Sequence, residues 1–270
     1  MKQPLVSVII PTYHRLQALS ELLEALYRQT FKNLQVIIVN DGGPSVAAVV
    51  ELYPELDCTY IDLEVNKMHV HARNVGLEVA TGDYIMLCDD DDLIVPSHIE
   101  RMVNELGDND LVYSDAEIVE YTTREHSGAR IPVSRQLFAY DNSLEGMRKF
   151  STFIPSGCLY RRAIHHTIGP FDEAVHNYWD WDFYLRVVEQ FSVRRVPVAG
   201  VLYAFSPSGG NKSANLVNMR PYLDQLSAKH DLGWLPTKNF YLLLQEPDVM
   251  SRKVESEIVW DGKETISRQK

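Results

Sequence analysis

Short apolar runs alternate with amphipathic stretches from Leu5 to Cys88, and few architectures accommodate that pattern. Leu5 to Ile10 is a nearly continuous, β-branched run ended by Pro11, which reads as a strand buried on both faces. Beyond Arg15, the residues Leu16, Leu19, Leu23 and Leu26 recur at helical spacing with Glu21, Glu24 and Arg28 between them, so an amphipathic helix follows. A second buried strand, Leu34 to Val39, ends at Asn40-Asp41-Gly42-Gly43. The cycle continues with a helix near Ser45 to Tyr53, a strand near Thr59 to Leu63, a helix through Ala72 to Ala80 and a strand Tyr84 to Cys88. Strands alternating with helices predict an α/β fold: a doubly wound, mostly parallel sheet flanked by helices. Open sheets of this kind bind ligands beyond the C-terminal ends of their strands. The polar clusters Pro11 to Arg15, Asp41 to Pro44 and Asp89 to Asp92 all fall there.

The pattern loosens after Leu111 to Ser114, with a polar stretch Thr122 to Ser134 and mixed short elements up to about Arg162. A less regular half is expected there. A helix over Asp180 to Gln190 and a strand over Val193 to Tyr203 follow. The glycine-containing loop Ser206 to Ser213, with Lys212, is expected to be a mobile flap that orders over an anionic ligand. A polar helical tail closes the chain.

Lys and Arg total 26 against 37 Asp and Glu, a net charge of −11, which opposes docking on nucleic acid or an anionic membrane. An anionic ligand must therefore meet a local cationic site or a bound metal. Three scattered cysteines, Cys58, Cys88 and Cys158, suit neither a disulfide framework nor a zinc cluster and fit a reducing cytoplasm. No apolar run reaches transmembrane length and no signal peptide is evident, so a cytoplasmic protein without a transmembrane segment is expected, with peripheral membrane contact left open.

Four adjacent carboxylates, Asp89-Asp90-Asp91-Asp92, repel one another unless a cation or solvent separates them. A solvated acidic turn is the ordinary fate of such a run, but its place at a strand end favours a divalent metal. In extended chain Asp89 and Asp91 would project to one side and share a ligand, with Asp90 pointing away. A calcium-binding EF-hand does not fit, because Leu93 and Ile94 occupy a ligand position and the obligatory glycine.

Five motifs in order carry a resemblance: Val8-Ile9-Ile10-Pro11-Thr12-Tyr13, Val39-Asn40-Asp41-Gly42-Gly43, Ala72-Arg73-Asn74-Val75-Gly76, Gly82-Asp83-Tyr84 and Asp89 to Asp92. Together they resemble family 2 glycosyltransferases of the GT-A fold, with weaker similarity through Phe171-Asp172-Glu173 and Trp179-Asp180-Trp181-Asp182 to about Ser213. The resemblance implies an inverting, metal-dependent transfer of a sugar from a nucleoside diphosphate sugar, UDP favoured, to a hydroxyl acceptor of a glycan, glycolipid or similar molecule, as in polysaccharide biosynthesis. It implies that Pro11, Thr12 and Tyr13 line the nucleoside pocket and that Asp41 accepts a hydrogen bond from the base. Asp89, with Asp90 beside it, would approach the ribose or sugar, and Arg73 would face the donor. Asp91 would hold the Mn²⁺ or Mg²⁺ that bridges the diphosphate. Asp180 would be the catalytic base, and Trp179 or Trp181 would offer an aromatic face to the acceptor. Residues 1–115 would form a nucleotide-sugar-binding half, 116–213 an acceptor-binding half of the same domain, and 214–270 a helical tail.

The chemistry agrees: a diphosphate leaving group needs its growing charge neutralised, and a hydroxyl nucleophile needs a carboxylate within hydrogen-bond reach. Blander readings stand beside these roles. Asn-Asp-Gly-Gly is a good turn anywhere, Arg73 could be a surface ion pair, and Asp180 could cap its helix with Asp182 complementing the dipole. Two departures matter: Trp179 stands where the family commonly has Glu, and His14 where it has Asn. The segment Tyr203 to Ser206 also lacks the Arg and His often found there, so no further protein ligand for the metal is expected from it. A nucleotidyltransferase would want a glycine-rich phosphate loop after the first strand, and a non-catalytic nucleotide-sugar binder would keep Asp41 and Asp91 without turnover. His165 and His166 read as solvated polar residues.

Overall fold

The computed structural model describes residues 3–125, 128–205, 216–238 and 244–269. The expected flap over Ser206 to Ser213, with Lys212, lies outside the described residues.

The alternating half folds as its periodicity predicts. Strand β1 (Val6–Thr12) leads to helix α1 (Leu16–Tyr27), β2 (Leu34–Asn40), a single helical turn α2 (Ala47–Val50) and β3 (Cys58–Asp62). Helix α3 (His69–Val79), β4 (Tyr84–Leu87), the short β5 (Leu93–Ile94) and α4 (His98–Leu106) follow. The second half contributes β6 (Leu111–Thr123), β7 (Arg130–Phe138), the turn α5 (Leu144–Met147), β8 (Cys158–Arg161), the turn α6 (His165–Ile168), α7 (Trp179–Val188), β9 (Val193–Ala204), α8 (Leu216–His230) and β10 (Glu257–Ile258).

All described strands join one ten-stranded sheet whose main path runs β10-β9-β6-β8-β4-β1-β2-β3, with β5 on β9 and β7 on β6. The β4-β1-β2-β3 segment is parallel throughout, while β8 is antiparallel to both its neighbours. Because side chains alternate along a strand, Val8 and Ile10 of β1 pack with Leu19, Leu23 and Leu26 of α1 on one face, and Ile9 joins the α3 and α7 layer on the other. Each such leucine, wholly withdrawn from water, contributes roughly 1.5–3 kcal/mol. Two close approaches need glycine. Gly76 on α3 sits so near the sheet that a Cβ would lie 2.6 Å from the Ile9 methyl. Gly42 adopts φ +74° against the backbone of Val65 and Asn66.

Three expectations need correction. The polar stretch Thr122 to Ser134 is not loose: β6 runs for 13 residues and pairs antiparallel with β7 through Thr123 opposite Arg130. Much of β7 faces solvent, so its polar composition hides the strand period. The tail is helical only in part, since β10 adds in parallel to β9 and Arg268 reaches back to Tyr53 and Glu55. His165 is not solvated: its ring packs against Tyr160, Phe171 and Phe183, and burial pushes its pKa down to about 4. Among the described residues, no helix is long and apolar enough to cross a membrane.

Candidate active site

The C-terminal ends of β1, β2 and β4 open into one cleft of about 470 Å³, lined by Pro11, Thr12, Tyr13, Asp41, Arg73, Asp89, Asp90, Asp91 and Asp180 among others. Every residue singled out from the sequence for nucleotide, metal or base therefore lies on this one surface. The bare backbone ends there because β1 and β2 stop in register, with the Asp41 N–H donating to the Thr12 carbonyl at 2.9 Å. Asp41 is buried and accepts the Lys67 N–H at 2.7 Å. Asn40 holds the loop beneath it through the carbonyls of Gly43 and Pro44 and the Asp62 carboxylate. Non-glycine residues in left-handed backbone precede two cleft-facing positions: His14 (φ +58°) before Arg15 and Met68 (φ +77°) before His69.

The four aspartates form a turn, closed by the Asp92 N–H on the Asp89 carbonyl at 3.1 Å, and not an extended segment. The expected alternation fails for that reason. Asp90 does not point away; it accepts the Thr12 hydroxyl at 2.7 Å and lines the cleft beside Asp89 and Asp91. Each aspartate also has a protein partner. Arg73 pairs with Asp89, Arg15 with Asp90 and Asp91, and Asp92 accepts the Ser156 hydroxyl at 2.6 Å and the Ala204 N–H at 3.2 Å. Arg130, from the polar stretch, donates to the Asp91 carbonyl at 2.6 Å while paired with buried Glu21. Burial still pushes the carboxyls of Asp90 and Asp92 up, and Asp91 adds to it. Arg15 ends the polar cluster that follows β1, but nothing local marks it, Arg130 or Ser156 as a partner of the aspartates. Their role depends on which distant segments meet.

On the second wall, the first turn of α7 separates two carboxylates two residues apart. Asp180 faces the cleft, accepts the Trp181 N–H at 2.9 Å, and is pushed up to about 6 chiefly by burial. Asp182 faces the core and is tied to Lys229 at 2.7 Å, His230 at 2.8 Å and Arg186 at 2.8 Å. Burial opposes its ionisation, but the hydrogen bond with His230 and the charges of Arg186 and Lys229 hold it down to about 2. Trp179 and Trp181 are both buried and both border the cleft. The Arg73 guanidinium lies over Trp179, and the Trp181 indole N–H is spent on the Met147 carbonyl at 2.6 Å. His69, unremarked in the sequence, joins them through ring contacts with His176 and Trp179.

The donor set suits a hard divalent cation. Asp91 and Asp89 keep about a third of their side chains open to the cleft, at 28% and 33% exposure, and carboxylate oxygens are the ligands Mg²⁺ and Mn²⁺ favour. Among the described residues, no group of three or more His, Cys, Asp or Glu converges to cage a metal. Such a site needs substrate oxygens to complete it, as Mg²⁺ sites built on one or two carboxylates and substrate phosphates do.

Comparison with known proteins agrees with the geometry. The model of the family described as Glycosyl transferase family 2 matches residues 7–169. Uncharacterized glycosyltransferase YwdF of Bacillus subtilis is 55% identical over 97% of this chain and 98% of its own. An uncharacterized glycosyltransferase of Haemophilus influenzae is 25% identical over 92% of this chain and 85% of its own. The fold matches S. aureus TarS 1-349 in complex with UDP-GlcNAc at TM-score 0.64, with 21% identity over 83% of this chain and 66% of that one. It matches mannosyltransferase PcManGT from Pyrobaculum calidifontis, in complex with GDP-Man and Mn²⁺, at TM-score 0.62, with 19% identity over 87% and 67%. The chain thus spans about two thirds of the length of these two solved structures. With its mixed sheet and a cleft at the parallel strand ends, this chain belongs to glycosyl transferase family 2 and is a glycosyltransferase.

Proposed function

We propose that this glycosyltransferase moves a sugar, with inversion, from a nucleoside diphosphate sugar to a hydroxyl acceptor, with help from Mn²⁺ or Mg²⁺. The observation that carries the reading is that Asp41, Asp89 to Asp91 and Asp180 line one cleft although they come from distant parts of the chain. In this reading residues 1–115 bind the nucleotide sugar, 116–213 the acceptor, and the tail from 214 closes the acceptor side, in a cytoplasmic protein.

Pro11, Thr12 and Tyr13 line the nucleoside end, with the buried Asp41 carboxylate poised to accept from a base N–H. A uracil N3–H fits that acceptor, and UDP is favoured because TarS, a structural neighbour, is described in complex with UDP-GlcNAc. Arg73 and Arg15 offer positive charge to the diphosphate, while Asp91, assisted by Asp89, would hold the metal. A divalent ion there supplies neutralisation of the leaving diphosphate. Asp180 accepts the proton of the attacking hydroxyl, which its raised pKa makes easier near neutrality.

Calorimetric titration of UDP in Mn²⁺ and in EDTA tests the donor side. Binding should weaken sharply in EDTA and in Asp91→Asn. Equal affinity under all three conditions would remove the metal from the mechanism.

A further inference from the structure

The acceptor wall of the cleft is built from two separate stretches. Phe150, Phe153 and Ile154 come from the segment before β8, and Met219, Leu223, Leu235 and Pro236 come from the tail. Trp181 lies between these stretches in sequence and also borders the cleft. Several polar groups bordering this wall have partners within the protein. The Trp181 N–H is held by Met147, the Ser151 hydroxyl accepts the Phe153 N–H at 3.3 Å, Lys238 pairs with Glu246, and Lys149 lies 3.6 Å from Asp248. Polar capacity for a ligand is concentrated in Asn177, Tyr178 and Asp180, neighbours at the start of α7.

A polyhydroxyl acceptor spread over this wall would lose its hydrogen bonds to water without regaining them, at roughly 1–3 kcal/mol for each unpaired group. An apolar group would instead match it.

We propose that the acceptor is amphiphilic: an apolar chain or ring, joined to the hydroxyl that reacts at Asp180, seats against Phe153, Ile154, Trp181, Met219, Leu223 and Leu235. This rests on the reading of the cleft as a donor and acceptor site.

The test uses methyl, butyl, hexyl and octyl β-glucosides and phenyl β-glucoside, titrated below their micelle-forming concentrations into the protein with and without UDP and Mn²⁺. Affinity should tighten about two- to fourfold per added methylene, and the phenyl arm distinguishes a ring from a chain as the favoured group. In Leu235→Asp, at a half-buried position, the dependence on chain length should flatten while UDP affinity stays parental. Leu223→Ser is the second variant. Equal affinity for methyl and octyl glucosides overturns the proposal, as does a chain-length trend that survives in both variants. Failure of UDP to bind, with the trend intact, overturns the donor reading alone.

Discussion

The guanidinium of Arg73 sits 4.0 Å from the ring centre of Trp179 while it pairs with Asp89. Helix α3, which carries Arg73, belongs to the alternating half, and α7, which carries Trp179, to the other, so one side chain couples the acidic turn to the helix that presents Asp180. Lysine keeps the charge but loses the planar stack, which contributes about 1–2 kcal/mol when desolvated. Arg73→Lys should therefore weaken UDP binding about five- to tenfold in calorimetry. Parental affinity would show that the stack does not position the donor site.

Asp180 and Asp182 should separate cleanly. Asp180→Asn should keep donor affinity and stability while turnover falls about 10²- to 10⁴-fold, the usual scale of lost general-base help. Asp182→Asn removes the anion from a buried cluster of Lys229, His230 and Arg186, a loss on the order of 3–5 kcal/mol, and should appear as a marked drop in Tm. The opposite pattern, with Asp182→Asn stable and inactive, would move the base to the other side of α7.

The same two carboxylates set opposite pH responses. Asp180, raised to about 6, becomes a competent base only as pH climbs through that value, so turnover should rise through about pH 6 and level off above it. Asp182 is held at about 2, below its ordinary value, so its stabilisation is complete above about pH 4 and is lost as pH falls toward 2. The amount is about 2 kcal/mol for the fully buried group. A pH–rate profile flat from 5 to 8, or acid denaturation unchanged by Asp182→Asn, would count against these assignments.

Gly76→Ala tests the packing that places Arg73. The added methyl would stand 2.6 Å from an Ile9 methyl and 3.5 Å from one of Val39, so α3 must lift from the sheet. A stability loss of about 1–3 kcal/mol is expected in denaturant titration, with weaker UDP binding alongside. Unchanged stability and binding would show that α3 has slack against β1.

Much of this protein is written in local order. The runs Leu5 to Ile10 and Leu34 to Val39 became β1 and β2, because a strand buried on both faces reads as continuous apolar sequence. The clusters at their ends fell together, because parallel strands present their C-terminal ends on one side of a sheet. Short-range periodicity could not show what depends on chain segments meeting from afar. The aspartate turn takes its counter-charges from Arg15 and Arg130, which are 76 and 39 residues away from Asp91. The edge hairpin of β6 and β7 hides behind solvent-facing polar residues. Asp180 and Asp182 look alike in sequence. Only the arrival of Lys229 and His230 from α8 makes one a buried structural anion and leaves the other facing the cleft, because ionisation in a protein is decided by burial and neighbouring charge, and both are tertiary quantities.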